Sequence, residues 1–213
     1  MRETTLKEML DRVYGAKDVE SLRRAYDEWA ANYDVDLVDE LGWMAPREAA
    51  GYLARHLEER DAPVLDAGAG TGLVGQALAS HGFAHIEALD LSATMLEVCR
   101  AKAVYRGFHQ AELGKELPLP SGHFGAVVAV GVLTEGHAGP ECFEELTRVL
   151  RPGGRLVFAL RPDVRERFGF REAQDAFVAS RRWQLIEESP NLTGFRDLQT
   201  APYQVWVYEV TGA

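Results

Sequence analysis

The chain has 213 residues, 46% of them hydrophobic and 26% charged, which fits one globular domain, or one with an appendage, and a sizeable core. Its formal net charge of -10 argues against a general affinity for nucleic-acid phosphates, which need a basic surface. Two distant cysteines, Cys99 and Cys142, no apolar run near the ~20 residues of a membrane span and no signal-peptide pattern point to a reducing, cytoplasmic setting.

Leu6, Met9, Leu10, Val13 and Tyr14 recur at helical spacing, and Gly15 ends that helix. A second helix carries Leu22, Ala25, Tyr26, Trp29, Ala30 and Tyr33 on one face. Its aromatic stripe is either plain packing or a surface that covers a ligand. After an acidic segment, Asp34 to Glu40, Pro46 suits the first turn of a third helix running to about Arg60. Strand one is read over Pro63 to Ala67, followed by a turn with glycines at 68, 70 and 72 and a helix through Leu73, Val74, Ala77 and Leu78. His85 to Asp90 is strand two, and Ser92 is a good N-cap for a helix burying Met95, Leu96, Cys99 and Ala103. Phe108 to Leu113 is a weaker strand, and Pro118, Pro120 and Gly122 make a loop.

Phe124 to Val130 is continuously apolar, as a central parallel strand covered on both faces should be. A helix through Phe143, Leu146, Val149 and Leu150 is broken by Arg151-Pro152-Gly153-Gly154, and Arg155 to Leu160 is the next strand. A helix near Glu172 to Arg182 and strands at Trp183 to Glu188 and Tyr203 to Val210 complete the chain. The expected fold is α/β: a doubly wound, mostly parallel, seven-stranded Rossmann-like sheet with helices on both faces. Residues 1–45 form a candidate N-terminal helical lid and 46–213 the Rossmann-like domain.

The glycine turn poses a choice of ligand. Gly70-Thr71-Gly72-Leu73-Val74-Gly75 is a literal G-x-G-x-x-G, with Asp90 placed 20 residues after Gly70, which suits NAD. Asp66, however, stands directly before the glycines, and no Lys or Arg occurs from Asp66 to Ser92. A pyrophosphate would meet an acid there and no cation. S-adenosylmethionine has an adenosine, a sulfonium and no phosphate. Asp66 would attract its cationic methionine end, directly or through water, and Gly68 and Gly70 let the backbone close on it. Asp90, ending strand two, would accept both ribose hydroxyls, with Leu91 and Met95 packing on the adenine.

The order of these segments resembles the class I S-adenosylmethionine-dependent methyltransferases over Tyr26 to Leu160, about two thirds of the chain. Val64 to Gly72 resembles the family's first motif and Ala88 to Ser92 its second. A-E-L-G-K-E-L-P-L-P-S-G-H-F-G-A-V-V, from Ala111, resembles the third-strand loop and fourth strand, and Arg148 to Phe158 the turn into strand five. Trp29 to Asp36 (W-A-A-N-Y-D-V-D) and Gly131 to His137 (G-V-L-T-E-G-H) are similar to the Williams–Beuren syndrome critical-region methyltransferase-like proteins. The resemblance implies that Glu112, where the family more often has Asp, and the backbone amide of Leu113 face the adenine edge. It also makes the aromatic helix a lid, with Tyr33 at the methionine end ahead of Tyr26 and Trp29, and adds Val130 at the end of strand four. The chain departs from the family's F-D-x-V at Phe124-Gly125-Ala126-Val127.

The implied reaction is in-line displacement of the methyl group, which needs a general base only if the nucleophile must lose a proton. Glu135 and His137 follow strand four and are candidates, each with a plain alternative as a turn cap or a solvated loop residue. No residue is assigned as catalytic. His123 precedes strand four and belongs at the opposite edge. Gly131-Val132-Leu133-Thr134 is not the N-P-P-Y or D-P-P-Y pattern that cups a flipped base, and there is no Pro-Cys pair for attack on cytosine. A small-molecule acceptor is expected, a protein side chain is the alternative, and the oligomeric state is not specified. Two other functions remain open at this point: cofactor binding without catalysis, and a nicotinamide-dependent dehydrogenase.

Overall fold

The computed structural model describes residues 5–195 and 198–212. Its strands are β1 (Val64–Ala67), β2 (Ile86–Asp90), β3 (Gly107–Gln110), β4 (Phe124–Ala129), β5 (Leu150–Leu160), β6 (Trp183–Glu188), β7 (Leu192–Phe195) and β8 (Leu198–Val210). They form one sheet in the order β3-β2-β1-β4-β5-β8-β6, with β7 paired to β8 off that path. The first five strands run parallel and β8 is antiparallel to its neighbours. The seven expected strands are therefore present, and β7 is an addition.

The helices are α1 (Leu6–Tyr14), α2 (Val19–Trp29), α3 (Ala45–His56), α4 (Leu73–Ser80), α5 (Ala93–Ala101), α6 (Cys142–Val149), α7 (Pro162–Arg167) and α8 (Phe170–Ala179). Alternation along the central strands divides the core. Leu65, Val127, Leu156 and Phe158 face one layer with Phe143, Leu146 and Phe177, while Val64, Ala126, Val128 and Val157 face Ala49, Leu53, Val74 and Leu78. A strand buried on both faces has no polar face to show in its sequence, which is why β4 reads as an unbroken apolar run.

The N-terminal helices build a small core of their own from Met9, Val13, Leu22, Trp29 and Leu37. Each begins with a reciprocal cap, Thr5 with Glu8 and Asp18 with Ser21. α2 ends at Trp29, before Tyr33, and a π-helical turn over Val35–Glu40 follows. The buried Asp36 accepts the Trp29 indole N–H at 2.8 Å.

Two other departures have local causes. Arg151 to Gly154 does break α6, but it also bulges within β5: Phe124 pairs with Leu150 and Ala126 with Arg155. Four residues thus stand opposite Gly125 alone. Helix α7 is too short to show a periodic stripe, and β7 is a four-residue hairpin strand interrupted by Gly194. Among the described residues, no helix is long and apolar enough to cross a membrane.

Candidate functional site

The sheet order reverses at β1, which has β2 on one side and β4 on the other. The crevice beyond the C-terminal ends of these strands is where open α/β sheets bind ligands. The glycine turn enters it tightly: Gly68 and Ala69 N–H both donate to the Leu89 carbonyl, at 2.8 and 2.9 Å. Gly68 has φ +82°, and a Cβ there would lie 2.8 Å from the Cβ of Val132. Glycine is required at this point both for backbone conformation and for the approach of the loop after β4.

Asp90 ties the crevice together. Its Oδ2 accepts Gly70 N–H at 2.8 Å, and its Oδ1 accepts Ser92 N–H at 2.8 Å. Ser92 in turn caps α5 by accepting Met95 N–H at 2.9 Å. Burial pushes the Asp90 carboxyl above its ordinary range, against the pull of the Ser92, Gly70 and Leu91 N–H groups.

These elements surround a cavity of about 110 Å³. Of the ten residues that the sequence nominates, Tyr33, Gly68, Gly70, Asp90, Leu91, Met95, Glu112, Leu113 and Val130 line it. Val19 and Leu22 from α2 close it from above, with Tyr26, and His137 lies on the side of the post-β4 loop. Among the described residues, the lining carries two carboxylates, Asp90 and Glu112, and no Lys or Arg.

The N-terminal helices are fastened to the body by polar contacts. Ser92 Oγ donates to Asp27 at 2.5 Å, while Asp34 accepts from Thr71 Oγ1 and from Lys102 Nζ, each at 2.5 Å. Tyr26 meets His137 at 2.7 Å. Glu135 has an exposed side chain outside the cavity lining. His123 stacks edge-on against Phe124 at the start of β4, away from this crevice.

Asp66 does not line the cavity. It is fully buried beneath the turn, where Oδ2 accepts the Tyr105 hydroxyl at 2.6 Å, and that oxygen accepts Gly75 N–H at 3.0 Å. Its Oδ1 has no hydrogen-bond partner among the described residues. Burial pushes the Asp66 carboxyl from 3.8 up to about 7, so the protonated form is favoured in the fold. Nothing in the spacing of Tyr105, a lone aromatic after a helix, marks it as the brace of the glycine turn.

This placement has a measurable sign. A carboxyl whose folded pKa is raised contributes stability that is complete below its unfolded value and is lost as pH rises through the folded one. From 3.8 to about 7, wild type is expected to lose stability relative to Asp66→Asn, by a total on the order of 4 kcal/mol. Thermal melts of the ligand-free proteins at pH 5 and pH 8 test this; a constant difference between them would mean that Asp66 is already ionised in the fold.

Residues 65–158 match the family model described as a methyltransferase domain. The chain is 35% identical over 166 residues to human (Homo sapiens) methyltransferase-like protein 27, covering 76% of this chain and 66% of that protein. Over 150 residues it is 32% identical to the malonyl-[acyl-carrier protein] O-methyltransferase of Enterobacter lignolyticus, covering 70% and 55%. It spans no more than about two thirds of the length of these curated relatives. Among solved structures, a TehB-like SAM-dependent methyltransferase from Corynebacterium glutamicum superposes with a TM-score of 0.65 at 18% identity, covering 88% of this chain and 100% of that one.

Proposed function

Because this chain belongs to the class I S-adenosylmethionine-dependent methyltransferases, related to the Williams–Beuren syndrome critical-region group, we propose that it methylates a small-molecule acceptor. The observation that carries this reading is the cavity at the switch point, which combines a glycine turn with two carboxylates and has no Lys or Arg among the described residues of its lining. A nicotinamide dinucleotide would bring its pyrophosphate to that acidic surface unpaired. A sulfonium ligand without phosphate meets complementary charge. The residues present therefore fit S-adenosylmethionine, which when bound supplies an activated methyl group on a good leaving sulfur.

The protein's part is to bind, orient and exclude water. Asp90 has spare acceptor capacity on both oxygens after holding Gly70 and Ser92, enough for two ribose hydroxyls. Leu91 and Met95 flank the adenine, and Glu112 with the Leu113 amide takes its edge. Gly68, Gly70, Val130 and Tyr33 hold the methionine end. Asp66 acts from beneath, by fixing Tyr105 and through it the start of α4. Residues 1–45 serve as a lid, and the cover given by Val19, Leu22, Tyr26 and Tyr33 favours a small molecule over a protein side chain.

Calorimetry is expected to show binding of S-adenosylhomocysteine and none of NAD; the opposite pattern would overturn the reading. A screen against a panel of metabolites should then yield S-adenosylhomocysteine from S-adenosylmethionine with some acceptors. A uniformly silent panel, with binding intact, would indicate a binder without catalysis. For the lid, S-adenosylhomocysteine is expected to slow amide hydrogen exchange across residues 20–45 by about tenfold or more, since it bridges the roof to the sheet. Equal exchange with and without the ligand would leave these helices as ordinary packing.

A further inference from the structure

A second cavity, of about 160 Å³, lies beside the first and shares Tyr26, Tyr33 and Gly131 with it. The rings of Trp29, Trp43 and Phe195 give it aromatic walls. Arg161, the one charged residue among the described residues of its lining, is held by Asp163 through two parallel bonds, Nε to Oδ1 at 2.9 Å and Nη2 to Oδ2 at 2.7 Å. That pairing neutralises the rim and leaves an uncharged occupant favoured. An engineered cavity of about 150 Å³ accommodates benzene, so this volume suits one six-membered ring with short substituents.

At the seam between the cavities, the Tyr26 hydroxyl lies 2.7 Å from His137 Nε2, and His137 Nδ1 lies 3.1 Å from the Glu135 carbonyl oxygen. A carbonyl only accepts, so Nδ1 carries the hydrogen, Nε2 is the bare nitrogen and the phenol donates to it. Burial holds His137 below the ordinary imidazole range and raises Tyr26 well above the phenol range, so the pair rests neutral. Among the described residues, the titratable groups around it are Tyr14, edge-on to His137 with ring centroids 6.3 Å apart, Tyr33 and the Asp90 carboxylate. None of them is a cation that would oppose a positive charge on the imidazole.

We propose that Tyr26 and His137 together form the proton acceptor for an uncharged, single-ring phenol held in the second cavity. This rests on the methyl-transfer reading and deepens it by naming the acceptor class. A phenol is a poor nucleophile until it loses its proton, since its pKa lies near that of tyrosine, about 10. As the acceptor's O–H bond breaks, its proton passes to the Tyr26 oxygen and the Tyr26 proton passes to Nε2. The freed electron pair on the acceptor oxygen forms the bond to the methyl carbon. The pair of the broken sulfur–methyl bond stays on sulfur and cancels its charge, so the positive charge ends on the imidazolium. The Glu135 carbonyl, already accepting from Nδ1, steadies that cation.

The test uses the full chain loaded with S-adenosylhomocysteine and titrated with 4-nitrophenol, whose phenolate absorbs where the phenol does not. The pH at which the bound probe gains its phenolate band is expected to be lower in wild type than in His137→Gln or Tyr26→Phe, and Tyr26→Phe keeps the ring that stacks on Trp29. The same band at the same pH in wild type and both variants would overturn the dyad. Failure of wild type to bind the probe while it binds S-adenosylhomocysteine would overturn the acceptor class and leave the methyl-donor reading standing. Failure to bind S-adenosylhomocysteine would remove both. With a phenol that is turned over, His137→Gln should lower kcat about 100-fold with little change in KM and flatten the acid limb of the pH profile; a purely structural latch would leave that limb in place.

Discussion

Gly75→Ala is expected to destabilise the protein by about 3 kcal/mol or more, the reverse of its usual effect. Within a helix, alanine is ordinarily favoured over glycine by about 1 kcal/mol. Here a Cβ at position 75 would lie 2.1 Å from Tyr105 Cζ and 2.2 Å from its hydroxyl oxygen. The ring must leave, and both of its hydrogen bonds go with it: the one to Asp66 and the one from Gly75 N–H. Asp66 would then have neither oxygen satisfied in a fully buried setting. Thermal or urea denaturation reads the loss directly. In a Tyr105→Ala background the same Gly75→Ala change should cost close to nothing, because the clash is gone. An unaltered melting temperature for the single variant would show that the ring does not occupy this place. Gly75 is also the third glycine of the G-x-G-x-x-G string. The space it leaves accommodates a tyrosine rather than a pyrophosphate-binding strand and helix packed together.

Asp90→Ala should weaken S-adenosylhomocysteine binding by about 10- to 150-fold, or ~1.5–3 kcal/mol, the scale for hydrogen bonds to a charged group. The loss has two origins. The ribose would lose its acceptors, and the N–H groups of Gly70 and Ser92 would lose the carboxylate that aligns them. Asp90→Asn is expected to recover only part of the affinity. An amide has one oxygen to accept from Gly70, and its NH2 faces the Ser92 N–H donor without a bond. Calorimetry on variants with native-like melting separates affinity from folding; wild-type affinity in Asp90→Ala would remove this residue from the site.

What the sequence disclosed were the features encoded over short spans. The apolar run before Asp66, the glycines after it, the N-cap Ser92 and the acid closing β2 are each local patterns, and the structure gathers most of the nominated residues around one cavity. What it withheld depends on pairs far apart in the chain. Tyr26 and His137 are separated by 111 positions, and Asp66 and Tyr105 by 39; no periodicity connects either pair. Asp66 was legible as an acid at a strand end, but the side to which it turns was settled by a tyrosine beyond the next helix. The strand β7 escaped for a different reason, since four residues around Gly194 are too few to show alternation.

The two cavities lie under one roof. Tyr26 and Tyr33 border both, and the segment that carries them is pinned to the body by Asp27 at Ser92 and by Asp34 at Thr71 and Lys102. On the lid reading proposed above, spent donor and finished product would be released by the same opening event, and the saturated turnover rate would have a ceiling set by how fast those pins break. The Lys102–Asp34 pin is ionic and only partly shielded, with side-chain exposures of 11% and 36%. Added salt weakens such a pair, so ionic strength would act on product residence time before it acts on chemistry.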